Sequence, residues 1–262
     1  MIDPIALQLG PISIHWYGLA YVVGIVGAWQ YILTLLPRFP GIERRHIDDF
    51  IPWIVGGIIV GGRLGYVLFY KPDYYLHHPL EILMTWHGGM AFHGGFLGCL
   101  MATLIYTHRH QINIWQLGDL IACGAPIGIF FGRIANFING ELYGNTTTAP
   151  WGVVFPGGGP LPRHPSQLYE AFLEGFVLWA ILVYATRKTA AASYPGKLLS
   201  LFLIGYGVFR FLVEFVRKPD DFLGYLWGHM TTGQWLSIPL IAGGVIIFWW
   251  RCKKCRTNIL KK

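Results

Sequence analysis

The chain of 262 residues is 54% hydrophobic and only 13% charged, against about a quarter charged in an ordinary soluble domain. Its apolar residues gather in runs of roughly 20, the length that crosses a hydrocarbon layer of about 30 Å, so a water-soluble globule is excluded and lipid is the expected solvent. A formal net charge of +7 would suit nucleic acid if the basic residues formed one patch; they sort by loop instead, which is an orientation signal and leaves no nucleic-acid surface.

The opening "MIDPIALQLGPISIHWYG" has neither a basic start nor a short apolar stretch ending in a small-residue cleavage site, so no signal peptide is expected and the N-terminus reads as mature. Seven spans follow, at about 16–36, 48–70, 92–107, 115–138, 166–186, 197–216 and 234–250, from the apolar runs and their polar flanks. Tyr17, in "HWYGLAY", stands at the outer end of the first span, where aromatic residues normally anchor. Arg63, in "GGRLGY", lies just inside the second and is expected to pair with an acid elsewhere. "HGGMAFHGG" brings His87 and His93 to the start of the third span, which is short and rich in glycine. His93 runs directly into the apolar stretch. A histidine there either transfers protons near neutral pH or is a hydrogen-bonded core residue.

The fourth span carries Pro126 and Gly128 and is expected to be broken there, which in a membrane requires protein or a wet cavity alongside. The segment "NTTTAPWGVVFPGGGPLPRHP" reads as an outer-face loop, and "RHPSQLYEA" opens the fifth span with polar groups and Tyr169. In the sixth, Arg210 and Glu214 are four residues apart, so they either pair on one helix face or bind a ligand. Cys99 and Cys123 fall in apolar runs and Cys252 and Cys255 form C-K-K-C in the tail; neither setting is that of a zinc site or a redox dithiol, and all four are expected to be reduced thiols. With no internal repeat and no separable linker, residues 1–262 read as one all-α polytopic membrane domain.

One set of loops holds thirteen basic residues: Arg38, Arg44, Arg45, Arg109, Arg187, Lys188, Lys197, Arg251, Lys253, Lys254, Arg256, Lys261 and Lys262. The other holds four, Lys71, Arg163, Arg217 and Lys218. The richer side is expected to be cytoplasmic and the N-terminus outside. Arg63, Arg133 and Arg210 are left within or at the ends of apolar runs. An arginine at mid-bilayer costs about 2.5 to 3.5 kcal/mol on insertion scales, so each needs a polar cavity, a partner or an anionic ligand.

The densest polar stretch is "GRIANFINGELYG", residues 132–144. Arg133, Asn136 and Asn139 recur at threes, along one helix face, while Gly132, Gly140 and Gly144 let backbone or ligand approach closely. A guanidinium beside amide donors suits the planar oxygens of a phosphate; hydrogen-bonded glue between helices is the alternative use of the same groups. No H-E-x-x-H and no G-x-S-x-G occurs, which removes a helical zinc protease and a serine hydrolase from consideration. Buried arginines also build anion transport pathways, but the two halves show no repeat.

"GRIANFINGELYG" resembles the signature of the prolipoprotein diacylglyceryl transferase family, and "HWYGL", "HGGMAFHGG", "HPSQLYE" and "RFLVEFVRKPD" occur in that family's order, over essentially the whole chain. The resemblance implies seven spans with the N-terminus outside, in the bacterial plasma (inner) membrane, with the active site toward the periplasmic side. It implies transfer of the diacylglyceryl group of phosphatidylglycerol to the thiol of a prolipoprotein's lipobox cysteine, giving a thioether and glycerol 1-phosphate. By the same resemblance Arg133 and Arg210 hold the lipid's phosphoglycerol, with Asn136, Glu141 and Gly144 completing the signature; Asn139, on the same helix face, is a further candidate substrate-binding residue. Tyr206 and Glu214 sit near the second arginine, His93 is similar to a base and Tyr17 to a tyrosine needed for activity. No metal or cofactor is implied, the partners are the two substrates and the bilayer, and the enzyme is expected to be a monomer. A thiol of pKa about 8.5 must ionise to attack, which a basic neighbour or a positive field assists, and two arginines suit the charge developing on a phosphodiester leaving group.

Overall fold

A computed structural model describes residues 5–10, 12–219 and 230–259. In chain order the elements are β1 (Ile5–Leu9), β2 (Ile12–His15), α1 (Trp16–Leu35), α2 (Arg44–Phe69), α3 (Pro72–His77), α4 (Phe92–Arg109), α5 (Ile114–Asn139), α6 (Ser166–Glu170), a π-helical segment (Ala171–Val177), α7 (Leu178–Lys188), α8 (Lys197–Val213) and α9 (Thr232–Ile259). Asp220 of the "RFLVEFVRKPD" motif, Lys261 and Lys262 lie outside the described residues, as do the side chains of His87, Cys252 and Cys255.

The protein is mostly helical. Among the described residues five helical stretches are long and apolar enough to cross a membrane: Trp16–Arg38, Arg44–Phe69, Ile114–Asn139, Ser166–Lys188 and Thr232–Arg251. The other two expected spans are helices as well, but α4 and α8 have only 18 and 17 residues, about 27 and 26 Å at 1.5 Å per residue. Large apolar side chains such as Val22, Leu68, Phe176 and Trp249 are exposed, an arrangement that water would penalise and lipid does not.

Two expectations about backbone regularity are corrected. The chain is not wholly α: β1 and β2 form an antiparallel hairpin, Leu9 opposite Ile12 and Leu7 opposite Ile14. Its isoleucines alternate with polar residues at the period of a strand, and Gly10 takes a positive φ of 59° at the turn. The expected break at Pro126 and Gly128 is absent, for α5 runs unbroken through both. Proline removes a single N–H, and Gly128 instead serves contact, since a Cβ on Gly24 of α1 would lie 3.1 Å from its Cα. The irregular backbone is the π-helical segment Ala171–Val177.

The chain divides into two compact units, residues 39–117 and residues 1–38 with 118–262. In the former, α2 and α4 pack through glycines. A Cβ on Gly57 would come within 2.6 Å of the Gly98 carbonyl oxygen, and one on Gly65 within 2.8 Å of the Gly94 Cα, so the two backbones touch as small residues allow in membranes. Arg63, expected to find an acid, is held by main-chain carbonyls instead. Its Nε donates to Ile82 at 2.8 Å, Nη1 to Gly88 and Gly89 at 2.6 and 3.1 Å, and Nη2 to Glu81 and Met84 at 2.5 and 3.3 Å. These carbonyls belong to the short 3₁₀ turns over residues 79–87 and the two glycines after them; that of Glu81 also accepts the Met84 N–H at 3.1 Å, and the guanidinium's five donors match the set. The Ala91 N–H also bonds to the Gly62 carbonyl at 2.9 Å, so two adjacent residues of α2 anchor the chain that leads into His93.

In the other unit α8 lies along α9 with glycines at the contacts, Gly207 against Ile241 and Gly244 against Ile204. The first turn of α8 has no cap of its own, since its preceding residue is Gly196. Asp119 of α5, fully buried, supplies one by accepting the Gly196 and Leu199 N–H groups at 2.8 and 2.7 Å, where helix N-termini carry orphan donors and positive potential. Arg251 of α9 donates to the neighbouring Pro195 carbonyl at 2.6 Å.

Replacing Asp119 with alanine should destabilise the protein by about 1 to 3 kcal/mol, the cost of stranding buried donors, and lower its unfolding temperature in detergent; an unchanged temperature would mean that water replaces the carboxylate. Gly98→Val should cost at least as much, because overpacking alone costs about 1 to 3 kcal/mol. A Gly98→Val protein as stable as the parent would rule out the backbone contact between α2 and α4.

Candidate active site

The signature begins on α5 and ends in its cap. Gly140 adopts φ of 69°, its N–H bonds to the Phe137 carbonyl and that of Glu141 to the Asn136 carbonyl, both at 3.1 Å. This pair of bonds is a Schellman C-cap, in which glycine takes the left-handed position. The turn folds Glu141 back over the helix, where its Oε1 accepts from Asn136 Nδ2 at 2.8 Å and from Asn139 Nδ2 at 3.5 Å. The spacing of three and the glycine thus produce one local knot of two amides and a carboxylate.

The chain beyond is tied down by neighbours. Ser166 Oγ donates to the Leu142 carbonyl at 3.0 Å and Gln167 Nε2 to that of Glu141 at 2.5 Å. Gly144 bridges antiparallel to Arg217, and its N–H reaches the His164 carbonyl at 2.9 Å. A Cβ there would lie 2.5 Å from the Val216 oxygen and 2.8 Å from the His164 Cβ, so only glycine lets the three strands of chain meet. Arg163 closes the loop by donating to the Gly158 and Gly144 carbonyls at 2.8 and 3.2 Å.

Next to this knot stands an ionic cluster. Glu170 and Glu174, on α6 and the π-helical segment, are both 0% exposed. Arg133 of α5 brings Nε to 2.9 Å from Glu170 Oε2 and Nη2 to 3.7 Å from Glu174. Arg210 of α8 pairs through Nη1 with Glu170 and through Nη2 with Glu214. Arg217, seven residues on and past the end of α8, donates Nη1 to Glu170 Oε1 at 2.5 Å and sets Nε 3.6 Å from Glu214. One carboxylate therefore touches three guanidinium groups. Glu174 is held less closely: neither of its oxygens has a hydrogen-bond partner among the described residues, and its nearest cations are 3.7 and 3.8 Å away. Tyr206 is packed on Phe202 and lies within the field of Glu174, Arg210 and Arg133.

Tyr17, in the first turn of α1, shares an open groove of about 730 Å³ with Asn139 and Glu141, and its hydroxyl is 3.3 Å from that of Tyr21. Of the residues singled out in the sequence, the fold gathers Tyr17, Arg133, Asn136, Asn139, Glu141, Gly144, Tyr206, Arg210 and Glu214 within the same unit. His93 belongs to the other, exposed in the first turn of α4.

Glu170, Glu174, Gln167 and Arg217 escaped the sequence reading. The spacing was visible, since Gln167, Glu170 and Glu174 recur at three and four within an apolar run, the period of one helix face. Arg217 reads as a loop charge because it follows the last residue of the sixth apolar run. Among the described residues no three His, Cys, Asp or Glu side chains are grouped to hold a metal ion. Three guanidinium groups converge where their partners are carboxylates and their edges remain partly open, with side-chain exposures of 19% for Arg133 and 14% for Arg210. That chemistry suits an oxyanion ligand that exchanges with a carboxylate.

A family model described as prolipoprotein diacylglyceryl transferase matches residues 4–250. The phosphatidylglycerol–prolipoprotein diacylglyceryl transferase of Paramagnetospirillum magneticum is 52% identical over 255 residues, covering 97% of this chain and 95% of the relative. The protein of that name from Rhodospirillum rubrum is 50% identical over 250 residues, with 94% and 91% covered, and that from Pseudomonas paraeruginosa 50% over 256 residues, with 97% and 95% covered. With the match spanning nearly every element, including both arginine-bearing helices, the chain belongs to the prolipoprotein diacylglyceryl transferase family.

Proposed function

We propose that this chain transfers the diacylglyceryl group of phosphatidylglycerol to the thiol of a prolipoprotein's lipobox cysteine. The observation that carries the reading is the cluster in which Arg133, Arg210 and Arg217 surround Glu170, in a chain about half identical to relatives named for that reaction. The enzyme is a multi-pass protein of the bacterial plasma membrane, acting as a monomeric single domain, with α4 and α8 completing seven crossings. The thirteen-to-four distribution of basic residues supports an outside N-terminus and an active site toward the periplasm. Two of the four basic residues on the sparse side, Arg163 and Arg217, are consumed by internal contacts, which sharpens the asymmetry.

In this reading the phosphate of phosphatidylglycerol lies against Arg133 and Arg210, exchanging with the carboxylates that hold them. Asn136, Asn139 and Glu141 orient the glycerol hydroxyls, Glu214 and Tyr206 set the position of Arg210, and Gly144 keeps the backbone close. The substrate thiol gives up its proton, assisted by His93 or by the arginine field, and Tyr17 is a further residue needed for activity. Sulfur attacks the glyceryl carbon that bears the phosphodiester oxygen; the C–S bond forms as the C–O bond breaks, and the electron pair leaves on glycerol 1-phosphate. The guanidinium groups stabilise the charge that grows on that oxygen, and such fixed donors are worth roughly 10²- to 10³-fold each in rate.

With purified enzyme in detergent, phosphatidylglycerol and a lipobox peptide, Arg133→Ala and Arg210→Ala should each lose at least about 100-fold in turnover, read as peptide mass gain and glycerol phosphate release. Lysine at either position should restore little, since it lacks the planar fork. Should His93→Gln keep near-normal turnover across pH while the arginine variants fail, the arginine field and not His93 activates the thiol. Because the acceptor supplies the nucleophile, an enzyme with Cys99, Cys123, Cys252 and Cys255 all changed to alanine should remain active; folded but inactive protein would demand an enzyme cysteine in the reaction.

A further inference from the structure

The hairpin at the N-terminus leaves its apolar residues outside any core, with Leu7 and Leu9 51% and 55% exposed. Its turn is braced, Ser13 Oγ donating to Gln8 Oε1 and Gln8 Nε2 to the Gly10 carbonyl, both at 2.7 Å. Among the described residues β1 is the one strand paired with β2, so the far edge of β2 presents unpaired N–H and C=O groups, which native sheets ordinarily cover or blunt. That edge borders the 730 Å³ groove. Ser13, Ile14 and His15 line it in succession; successive side chains of a strand point to opposite faces, so a groove touching all three runs along the edge and not across one face. No residue of β1 lines it. Its other walls are the first turns of α1, with Leu19 and Val22 as the apolar side, and Asn139 and Glu141 of the signature.

The groove therefore joins a free strand edge to Asn139 and Glu141, whose partner Asn136 lies one turn from Arg133 on α5. We infer that it seats the acceptor polypeptide: the extended segment flanking the reacting cysteine adds as a strand to β2, its main chain pairing with that edge and its apolar side chains resting against Leu19 and Val22. This rests on the transferase reading and names the docking surface for its second substrate. An extended segment suits the chemistry, because alternate side chains leave a strand on opposite sides. One cysteine can then turn toward Asn139 and Glu141 while the main-chain hydrogen bonds supply affinity for acceptors of varied sequence.

The test uses full-length enzyme in detergent with phosphatidylglycerol and acceptor peptides N-methylated at single positions on either side of the cysteine. Methylation at one set of alternate residues should raise the peptide's KM at least tenfold and leave the KM for phosphatidylglycerol unchanged, while methylation at the intervening residues should leave both near the parent values. Transfer that proceeds with equal KM for both sets would overturn strand addition. A parent peptide that gains no diacylglyceryl mass would overturn the transferase reading and this inference with it. As a second measurement, a photoreactive phenylalanine analogue in place of Ser13 should capture the acceptor peptide, and the same analogue in place of Leu7 should not. Capture at position 13 of phospholipid alone, or of a second copy of the chain, would assign the groove to lipid or to self-association and overturn the proposal.

Discussion

The rest of the site depends on one buried carboxylate. Glu170 is sealed from solvent and in contact with Arg133, Arg210 and Arg217, which arrive from α5, α8 and the turn after α8. Each of those cations would be costly in an apolar bundle alone, and Glu170 alone would be costly too. Together they compensate, so no one of the elements can leave without stranding a charge. With Glu174 and Glu214 added, three acidic groups face three guanidinium groups, and the cluster is formally neutral. An anionic ligand entering it must take the place of a carboxylate as a partner, which couples binding to rearrangement of these same side chains.

Each unit is held together by the means available in lipid, where hydrophobicity does not drive one helix against another. Glycine contacts bring α2 against α4 and α8 against α9, and buried polar groups serve as fixed ties. Asp119 caps a helix that has no cap of its own, and Arg63 gathers a run of carbonyls from short turns and the glycines after them. Both are charged residues in apolar runs, and both turn out to be answers to unpaired backbone. Arg133 and Arg210 differ in facing carboxylates, which a phosphate can replace, whereas a backbone carbonyl has no competitor of that kind.

Much was legible in advance. Five of the seven expected spans correspond to helices within about four residues at each end, the fifth to α6, the π-helical segment and α7 in succession, and the seventh to α9, which runs nine residues further, because runs of apolar residues at membrane length have few other uses. The shared face of Arg133, Asn136 and Asn139 is legible in their spacing, whereas Glu141 entered through the family resemblance and its return onto both amides depends on the turn at Gly140. Misreadings came where a local rule met a tertiary circumstance. Pro126 marked a break that neighbouring packing made unnecessary, Arg63 found carbonyls where an acid was expected, and the first strands were overlooked beside stronger helical signals. Glu170 and Glu174 were missed because acids near the start of an apolar run look like a membrane boundary.

Lipid as solvent, the number and extent of the apolar runs, the asymmetry of basic residues and the polar signature at 132–144 were determined by the sequence itself, since each depends on composition or on residues a few positions apart. Which partner each buried charge takes was decided only by the tertiary structure. Glu170 and Arg210 are forty residues apart, and Asp119 and Gly196 seventy-seven. No periodicity carries across such distances, and the choice among several acids and several cations is made by where packed helices bring their side chains together.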